Sequence, residues 1–416
     1  MTMNAPLLRF KDENGEDYPE WETTNIKDLI SESCIPVIAP SNNKLKVRLW
    51  GKGVCRRNNI GAFSSERSST KFYRRKAGQL IYGKMDFLHG AFGIIPKELD
   101  GYVSTCDLPS FDISENIDNY FLLLSVLRPE FYLHNGNKAD GTRKAKRVHV
   151  HEFLNMKISC PSLAEQKKIV TFFSKLDCLI TVQRQKLESL EQIKKGFLHE
   201  IFSCQIRFKD KNNEYYPVWQ MIDFVNLFEF INNNTLSRNK LNYSSGKAKN
   251  IHYGDVLVNY GEFVNVDSDT VPYINEDVDC SKYSKLKSGD IVIADTAEDE
   301  TVGKATEIDG NTNIAVYSGL HTICCRPRIP FAKHYLGYAF NSPEFHNKIR
   351  LYMQGTKVVS ISKSNLLKLN FLVPTLGEQQ QIADFLDALS KEYACLKHKL
   401  SSLKLIKKAL LQQMFI

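Results

Sequence analysis

Two stretches of the chain, residues 161–202 and 374–415, place apolar side chains at every seventh position. In the first these are Ile169, Leu176, Leu190 and Phe197, with the polar Gln183 in the same row. In the second they are Ile382, Leu389, Leu396, Leu403 and Leu410. A companion row three or four positions on reads Phe172, Leu179, Leu187 and Ile193, matched by Phe385, Tyr393, Leu400 and Ile406. Such a row over five heptads predicts a coiled-coil helix rather than a surface helix. The two stretches align without a gap at an offset of 213 (374 − 161), so the chain is internally repeated. A helix of about 40 residues is roughly 60 Å long and cannot bury such a stripe alone. The two copies of one seam are natural partners; the other arrangement has each helix packed on its own globular neighbour.

Each copy also signals its own start. Ser162 and Thr375 stand three residues before Glu165 and Glu378, the spacing of a capping box. Pro161 and Pro374 bias the preceding backbone away from helix. A second repeat opens each half. Arg9-Phe10-Lys11-Asp12 recurs as Arg207-Phe208-Lys209-Asp210, and Glu16, Tyr18, Pro19 and Trp21 recur as Glu214, Tyr216, Pro217 and Trp219. The expected order is an opening motif (1–21), a globular segment (22–160), a helix (161–204), the repeated motif (205–219), a second globular segment (220–373) and a second helix (374–416).

The globular segments alternate short strand-like runs with turns. Examples are residues 79–82, 91–95 and 291–294, with helices expected at 117–127, closed by Pro129, and at 331–340. A Gly-Thr pair leads toward the final strand of each: Gly141-Thr142 and Gly355-Thr356. The expected fold class is α+β, with two globular domains separated by two long helices and related by a pseudo-twofold repeat.

Charge separates the two segments. Residues 22–160 hold 21 Lys+Arg against 14 Asp+Glu, whereas residues 220–373 hold 16 against 17. The whole chain is modestly basic at +8, which permits a polyanionic partner. Base is concentrated in loops of the first segment: Arg56-Arg57, Tyr73-Arg74-Arg75-Lys76 and Arg143-Lys144-Ala145-Lys146-Arg147. Interleaved aromatics are Phe72 and Tyr73 there, and Tyr243 and Tyr260 in the second segment. Arginine and lysine toward phosphates supply affinity, and polar side chains toward base edges supply sequence choice. Two such readers on a stiff rod can address half-sites about one DNA turn, roughly 34 Å, apart. Repeated surfaces also suit two copies of one partner subunit.

Catalytic signatures are missing. No Pro-Pro pair is present, which removes the Asn-Pro-Pro-aromatic loop of amino-methyltransferases. Gly51-Lys52-Gly53 lacks the third glycine of a dinucleotide fingerprint, and no phosphate-binding P-loop occurs. His149 and His151 alternate in a strand-like run and are expected on opposite faces rather than on a metal. Ten cysteines with no C-x-x-C pair signal neither a zinc site nor a disulfide framework. Neither an apolar signal core nor a run of about 18 apolar residues is present, so a cytoplasmic protein without a membrane partner is expected.

The chain resembles the specificity subunit of type I restriction–modification systems. The resemblance rests on Leu8-Arg9-Phe10 with Trp21, the P-x-L-x-E-Q motifs at Pro161 and Pro374, the Leu187-Glu188-Ser189-Leu190 and Ile193-Lys194-Lys195 helix with its second copy, and the Gly-Thr pairs. It implies that each globular segment is a target recognition domain reading half of a bipartite, asymmetric site in double-stranded DNA. It implies an antiparallel helical pair that sets the spacer and docks two modification subunits. Those partners would carry the S-adenosylmethionine and methylate adenine; restriction subunits would add ATP- and Mg-dependent cleavage. This chain would be non-catalytic and bind no cofactor. Expected DNA contacts are Arg56, Arg57, Tyr73, Arg74, Arg75, Arg143, Lys144 and Arg147 in the first domain, and Lys247, Lys249, Lys285, Lys357 and Lys363 in the second. The other readings are a self-sufficient methyltransferase or restriction enzyme with an unrecognised site, and a coiled-coil adaptor without DNA contact.

Overall fold

The computed structural model describes residues 6–37, 43–57, 70–139, 146–310, 314–355 and 358–416. The chain divides into two compact units, residues 1–184 with 398–416, and residues 185–397. Both long helices, Leu163–Phe202 and Leu376–Met414, are unbroken and contribute one half to each unit.

In the first unit the globular segment is closed by an antiparallel pair of its own ends, Glu22–Asn25 against Lys157–Cys160. Inside lies a four-stranded antiparallel sheet in the order Ile30–Ser33, Ser110–Ile113, Leu80–Tyr82, Phe92–Ile94. A second sheet joins Ile35–Val37, Phe72–Arg74 and Val103–Thr105, and a separate hairpin joins Leu45–Val47 to Val54–Arg56. Helix Asn119–Val126 starts where the Asp118 carboxylate accepts from the amides of Tyr120 and Phe121. Pro129 does more than close it. The proline opens a second helix, Pro129–Lys138, because its fixed φ and missing N–H suit a first helical position. The core joins Trp21, Phe121, Ile169, Phe173, Leu176 and Phe415, so sheet, helices and long-helix segments share one apolar interior.

The second unit repeats the closure, Gln220–Asp223 against Asn370–Val373. Its main sheet has five strands in the order Phe228–Ile231, Thr322–Pro327, Ile291–Ala294, Ala305–Asp309, Phe263–Asn265, the last pair parallel. Strands Ile291–Ala294 and Ala305–Asp309 are buried along their whole length, which explains the unalternating run Ile291-Val292-Ile293-Ala294. A smaller four-stranded sheet runs Leu241–Asn242, Tyr273–Ile274, Ala248–Ile251, Ala315–Ser318. The expected helix at 331–340 is shorter, Tyr335–Phe340.

The long-helix segments pair within each unit. In the first, Asp177 meets Lys407 at 2.5 Å and Phe173 lies 6.2 Å from Phe415 between ring centroids, so the segments run antiparallel. In the second, Phe197 meets Phe385 with centroids 4.9 Å apart, and Leu198 and Ile201 share a core with Ile382 and Leu386. Ile169, Leu176, Gln183 and Ile382 are buried, and Leu190, Phe197, Leu389, Leu396, Leu403 and Leu410 are half-buried.

The companion row holds at Leu187, Tyr393 and Leu400 and differs from the expectation elsewhere. Leu179 is 58%, Ile193 49% and Ile406 49% exposed. The inward row lies four residues after each heptad position: Phe173, Ile180, Leu187, Lys194 and Ile201, matched by Leu386, Tyr393, Leu400, Lys407 and Met414. Strict alternation of four- and three-residue steps keeps one face toward the partner. Lys194 and Lys407 occupy apolar places in that row, which is why the pattern pointed one residue early at Ile193 and Ile406. Each lays its stem inward and satisfies its ammonium: Lys194 on Glu262 at 2.6 Å, Lys407 on Asp177.

His149 and His151 are also placed differently. His149 caps the short helix Val150–Leu154, and the two rings stack with centroids 5.9 Å apart instead of facing opposite ways. Among the described residues no group of three or more His, Cys, Asp or Glu is arranged to hold a metal ion.

Candidate nucleic-acid interface

One joint, built twice, fixes each globular segment to its helix. Glu165 is fully buried at the helix start and receives Arg9 through Nε at 3.1 Å and Nη2 at 2.7 Å. Glu378 does the same for Arg207, at 2.7 and 2.8 Å. The expected capping box is therefore half made. Ser162 Oγ accepts from the Glu165 amide at 3.4 Å, but the glutamate reaches the opening motif rather than its own cap. The next residue ties in the globular segment. Gln166 donates to Pro161 O and accepts from the Asp118 amide; Gln379 donates to Pro374 O and accepts from the Ala332 amide. The P-x-L-x-E-Q motif is thus a connector: its glutamate holds the opening motif and its glutamine the globular segment. The copies differ at the tryptophan. Trp219 Nε1 donates to Glu378 at 2.9 Å, whereas buried Trp21 Nε1 has no hydrogen-bond acceptor among the described residues.

A strongly basic described surface is the hairpin Leu45–Val47/Val54–Arg56. Residues 43–57 hold six Lys or Arg and no carboxylate. Leu45, Val47 and Val54 face inward onto Ile81, Ala91 and Ile95. Lys46, Arg48, Lys52, Arg56 and Arg57 are exposed, and Lys44 lies 5.0 Å above the Phe72 ring. A depression of about 450 Å³ beside it is lined by Lys46, Arg56, Arg57 and Asp86 among others. Two-stranded ribbons of this width fit the DNA major groove. Of this hairpin only Arg56 and Arg57 were expected from the sequence as contacts. The missed signal is the alternation Lys44-Leu45-Lys46-Val47-Arg48, which puts every cation of the first strand on one face.

The other expected contacts fall into three groups. Arg74 is exposed, Tyr73 half-exposed, and Arg147 exposed but 3.0 Å from Asp107. Lys247 and Lys285 are exposed, and Lys363 lies 5.7 Å above the Phe230 ring. Arg143, Lys144 and Lys357 lie outside the described residues, as do Thr142 and Thr356.

Arg75 and Lys249 must be removed from the expected surface. Arg75 is 1% exposed and donates to Ser104 Oγ, Ser33 O, Ser110 Oγ and Leu108 O at 2.7–3.1 Å. Among the described residues no carboxylate pairs with it, and burial pulls its pKa down from the usual arginine value. Lys249 sits in strand Ala248–Ile251, 7% exposed, with Nζ on Val266 O at 2.6 Å. Both belong to apparently basic clusters whose other members face solvent. Arg75 directly follows strand Phe72–Arg74 and Lys249 lies in a strand buried along its whole length, placements that composition does not reveal.

The second unit presents a more mixed surface. Arg238 pairs with buried Asp255 at 2.6 and 2.7 Å and lies 5.6 Å from the Tyr243 ring. A cleft of about 570 Å³ is lined by Tyr243, Asn259, Tyr260, Asp269 and Thr270. Deeper, His334 is held between Asp387 (2.7 Å) and Asp309 (3.3 Å) and stacks on Phe263 at 3.7 Å. Glu307 beside it accepts from the amides of His334 and Gly337, and burial pushes its carboxyl up to about 7.

Comparison with known proteins defines the class. The chain belongs to the type I restriction modification DNA specificity domain family, matched over residues 63–192 and 198–405. It is 26% identical over 290 residues to the specificity subunit of the type I restriction enzyme MjaVIII of Methanocaldococcus jannaschii. That match takes in 66% of this chain and 64% of the relative's length, so the chain spans just under two thirds of it. In fold it is similar to a chain from a structural study of assembly and conformational transition in the type I R-M system (TM-score 0.59, 17% identity, 96% of this chain and 99% of that one). It is also similar to a type I restriction-modification S subunit from M. genitalium (TM-score 0.55, 13% identity, 99% of each). Among the described residues no helix is long and apolar enough to cross a membrane.

Proposed function

We propose that this chain is the non-catalytic DNA-specificity subunit of a type I restriction–modification complex. Each α+β segment reads one half of a bipartite, asymmetric site in double-stranded DNA. The two long helices form an antiparallel coiled coil that sets the distance between half-sites and docks two modification subunits. Those subunits carry S-adenosylmethionine and methylate adenine; restriction subunits with ATP and Mg complete the nuclease. The observation that carries the reading is the duplicated joint: the same Arg–Glu pair fixes each of two differently surfaced segments to its own heptad helix. A unit built for one catalytic task has no use for two rigidly mounted, unlike surfaces, whereas a bipartite reader requires them.

The test lengthens the strut. One heptad is inserted beside Gly196, whose exposed position has nothing within 4 Å of an added Cβ, and one at the facing level of the C-terminal helix near Ala388. Seven residues add about 10 Å of helix, roughly three base pairs of DNA. Methylome sequencing of a host expressing the variant with its modification subunit should show unchanged half-sites with a wider gap. Altered half-site sequences with an unchanged gap would refute the ruler.

A further inference from the structure

The tip of the basic hairpin carries a feature that phosphate contact does not use. Trp50 is 58% exposed, and the adjoining Leu49 is 37% exposed. Trp50 also adopts a positive φ of 60°, a left-handed backbone region that side-chain-bearing residues disfavour. The loop is nevertheless pinned. The Trp50 amide donates to His89 O at 2.8 Å and the Gly51 amide to Gly90 O at 3.0 Å. The indole meets the His89 ring only edge-on, with centroids 5.4 Å apart. A large apolar ring is thus held outward on a strained, fixed turn, between the exposed cations Arg48 and Lys52.

We infer that Trp50 is a base-stacking wedge: it enters the base stack of duplex DNA when the hairpin docks. This rests on the DNA-binding reading above and adds a named contact to it. Six cations without a carboxylate in residues 43–57 suit a polyanion, whereas the centres of protein–protein interfaces are depleted of charge. Apolar side chains that insert between base steps partly unstack and kink the duplex. Stacking on aromatic rings tolerates any base, so the contact favours deformable steps rather than one sequence.

The chain itself supplies the probe. It has three tryptophans; Trp21 and Trp219 are 7% and 6% exposed, so Trp50 dominates the quencher-accessible emission. The full chain is titrated with a mixed-sequence duplex, with anisotropy following binding and acrylamide probing the indole. Binding should shield the accessible emission, and Trp50→Phe should lack most of that signal. Trp50→Gly, whose backbone accepts the positive φ, and Trp50→Ala should both bind about ten-fold more weakly, equivalent to about 1.4 kcal/mol. Their salt dependence should be unchanged, because no phosphate contact is lost. Arg48→Gln with Lys52→Gln should instead reduce the slope of log K against log salt by about two. A formed complex in which Trp50 remains fully quenchable overturns the wedge and leaves the DNA reading intact. No complex at any salt overturns both. Shielding by the modification subunit alone, without DNA, makes Trp50 a protein contact and overturns the wedge.

Discussion

Replacing Glu378 with alanine tests the joint on which each half depends. The Glu378 carboxylate is fully buried and accepts three hydrogen bonds: two from Arg207 at 2.7 and 2.8 Å, one from Trp219 Nε1 at 2.9 Å. Removing it strands a guanidinium that is 18% exposed and an indole N–H that is buried. Breaking a buried ion pair by deleting one partner costs about 3–5 kcal/mol, and leaving a buried donor unmet costs about 1–3. One carboxylate serves both, so the losses overlap. Arg207 also keeps Tyr216 O and Pro217 O. A loss of about 4 kcal/mol is expected for Glu378→Ala. Glu165→Ala breaks the matching Arg9 pair, but Trp21 has no bond there to lose; its loss should be smaller by about 1 kcal/mol. The assay is urea unfolding of two single-tryptophan forms. Trp21→Phe with Trp50→Phe lets Trp219 report the second unit; Trp219→Phe with Trp50→Phe lets Trp21 report the first. Separate reporters are needed because a chain of two units need not unfold in one step. Equal losses in the two units would show that the Trp219 bond contributes nothing. A loss below about 1 kcal/mol for Glu378→Ala would refute the buried-pair argument altogether. Replacing both Arg207 and Glu378 with leucine should recover only the part due to the ion pair, since an apolar pair avoids desolvating charge but leaves Trp219 Nε1 without its acceptor.

Two further outcomes are expected. Burial lifts Glu307 from 4.5 to about 7. Burial pulls His334 down, but its bonds to Asp387 and Asp309 outweigh this and leave it above 6.5. Both folded-state values exceed the unfolded ones, so both contributions are complete at low pH and fade as pH rises, Glu307's between about 4.5 and 7 and His334's above 6.5. The second unit's urea midpoint should therefore fall from pH 5 to pH 8, and Glu307→Gln should flatten the lower part of that fall; an identical profile in the variant would exclude Glu307 as a source. Arg74 and Arg75 should separate cleanly. Arg75→Leu should cost the first unit about 2 kcal/mol, chiefly by taking the guanidinium from Ser33 O, since Leu108 O keeps Ser104 Oγ at 2.7 Å. Arg74→Gln should leave unfolding within about 0.5 kcal/mol and lower the salt slope of DNA binding by about 0.9. Loss of salt slope in a fully folded Arg75→Leu variant would return Arg75 to the interface.

Repetition and period were what the amino-acid sequence determined by itself. The helices Leu163–Phe202 and Leu376–Met414 were legible because a heptad row sustained over five repeats has one low-energy backbone. Strands such as Leu80–Tyr82 and Ile291–Ala294 were legible because glycine turns bound short apolar runs. Side-chain direction was decided only by tertiary structure. Lys194 and Lys407 fall in an otherwise apolar row, and only the fold shows Glu262 and Asp177 placed to receive their ammonium groups. Glu165 and Glu378 read as local caps until Arg9 and Arg207, more than 150 positions away, claimed them. Arg75 read as one more cation of a basic loop, and the fold surrounded it with hydroxyls and carbonyls. Local pattern sets the backbone because helices and strands answer to near neighbours. A charged side chain answers to whichever counter-group the folded chain brings within about 3 Å, and that is a property of the assembled core.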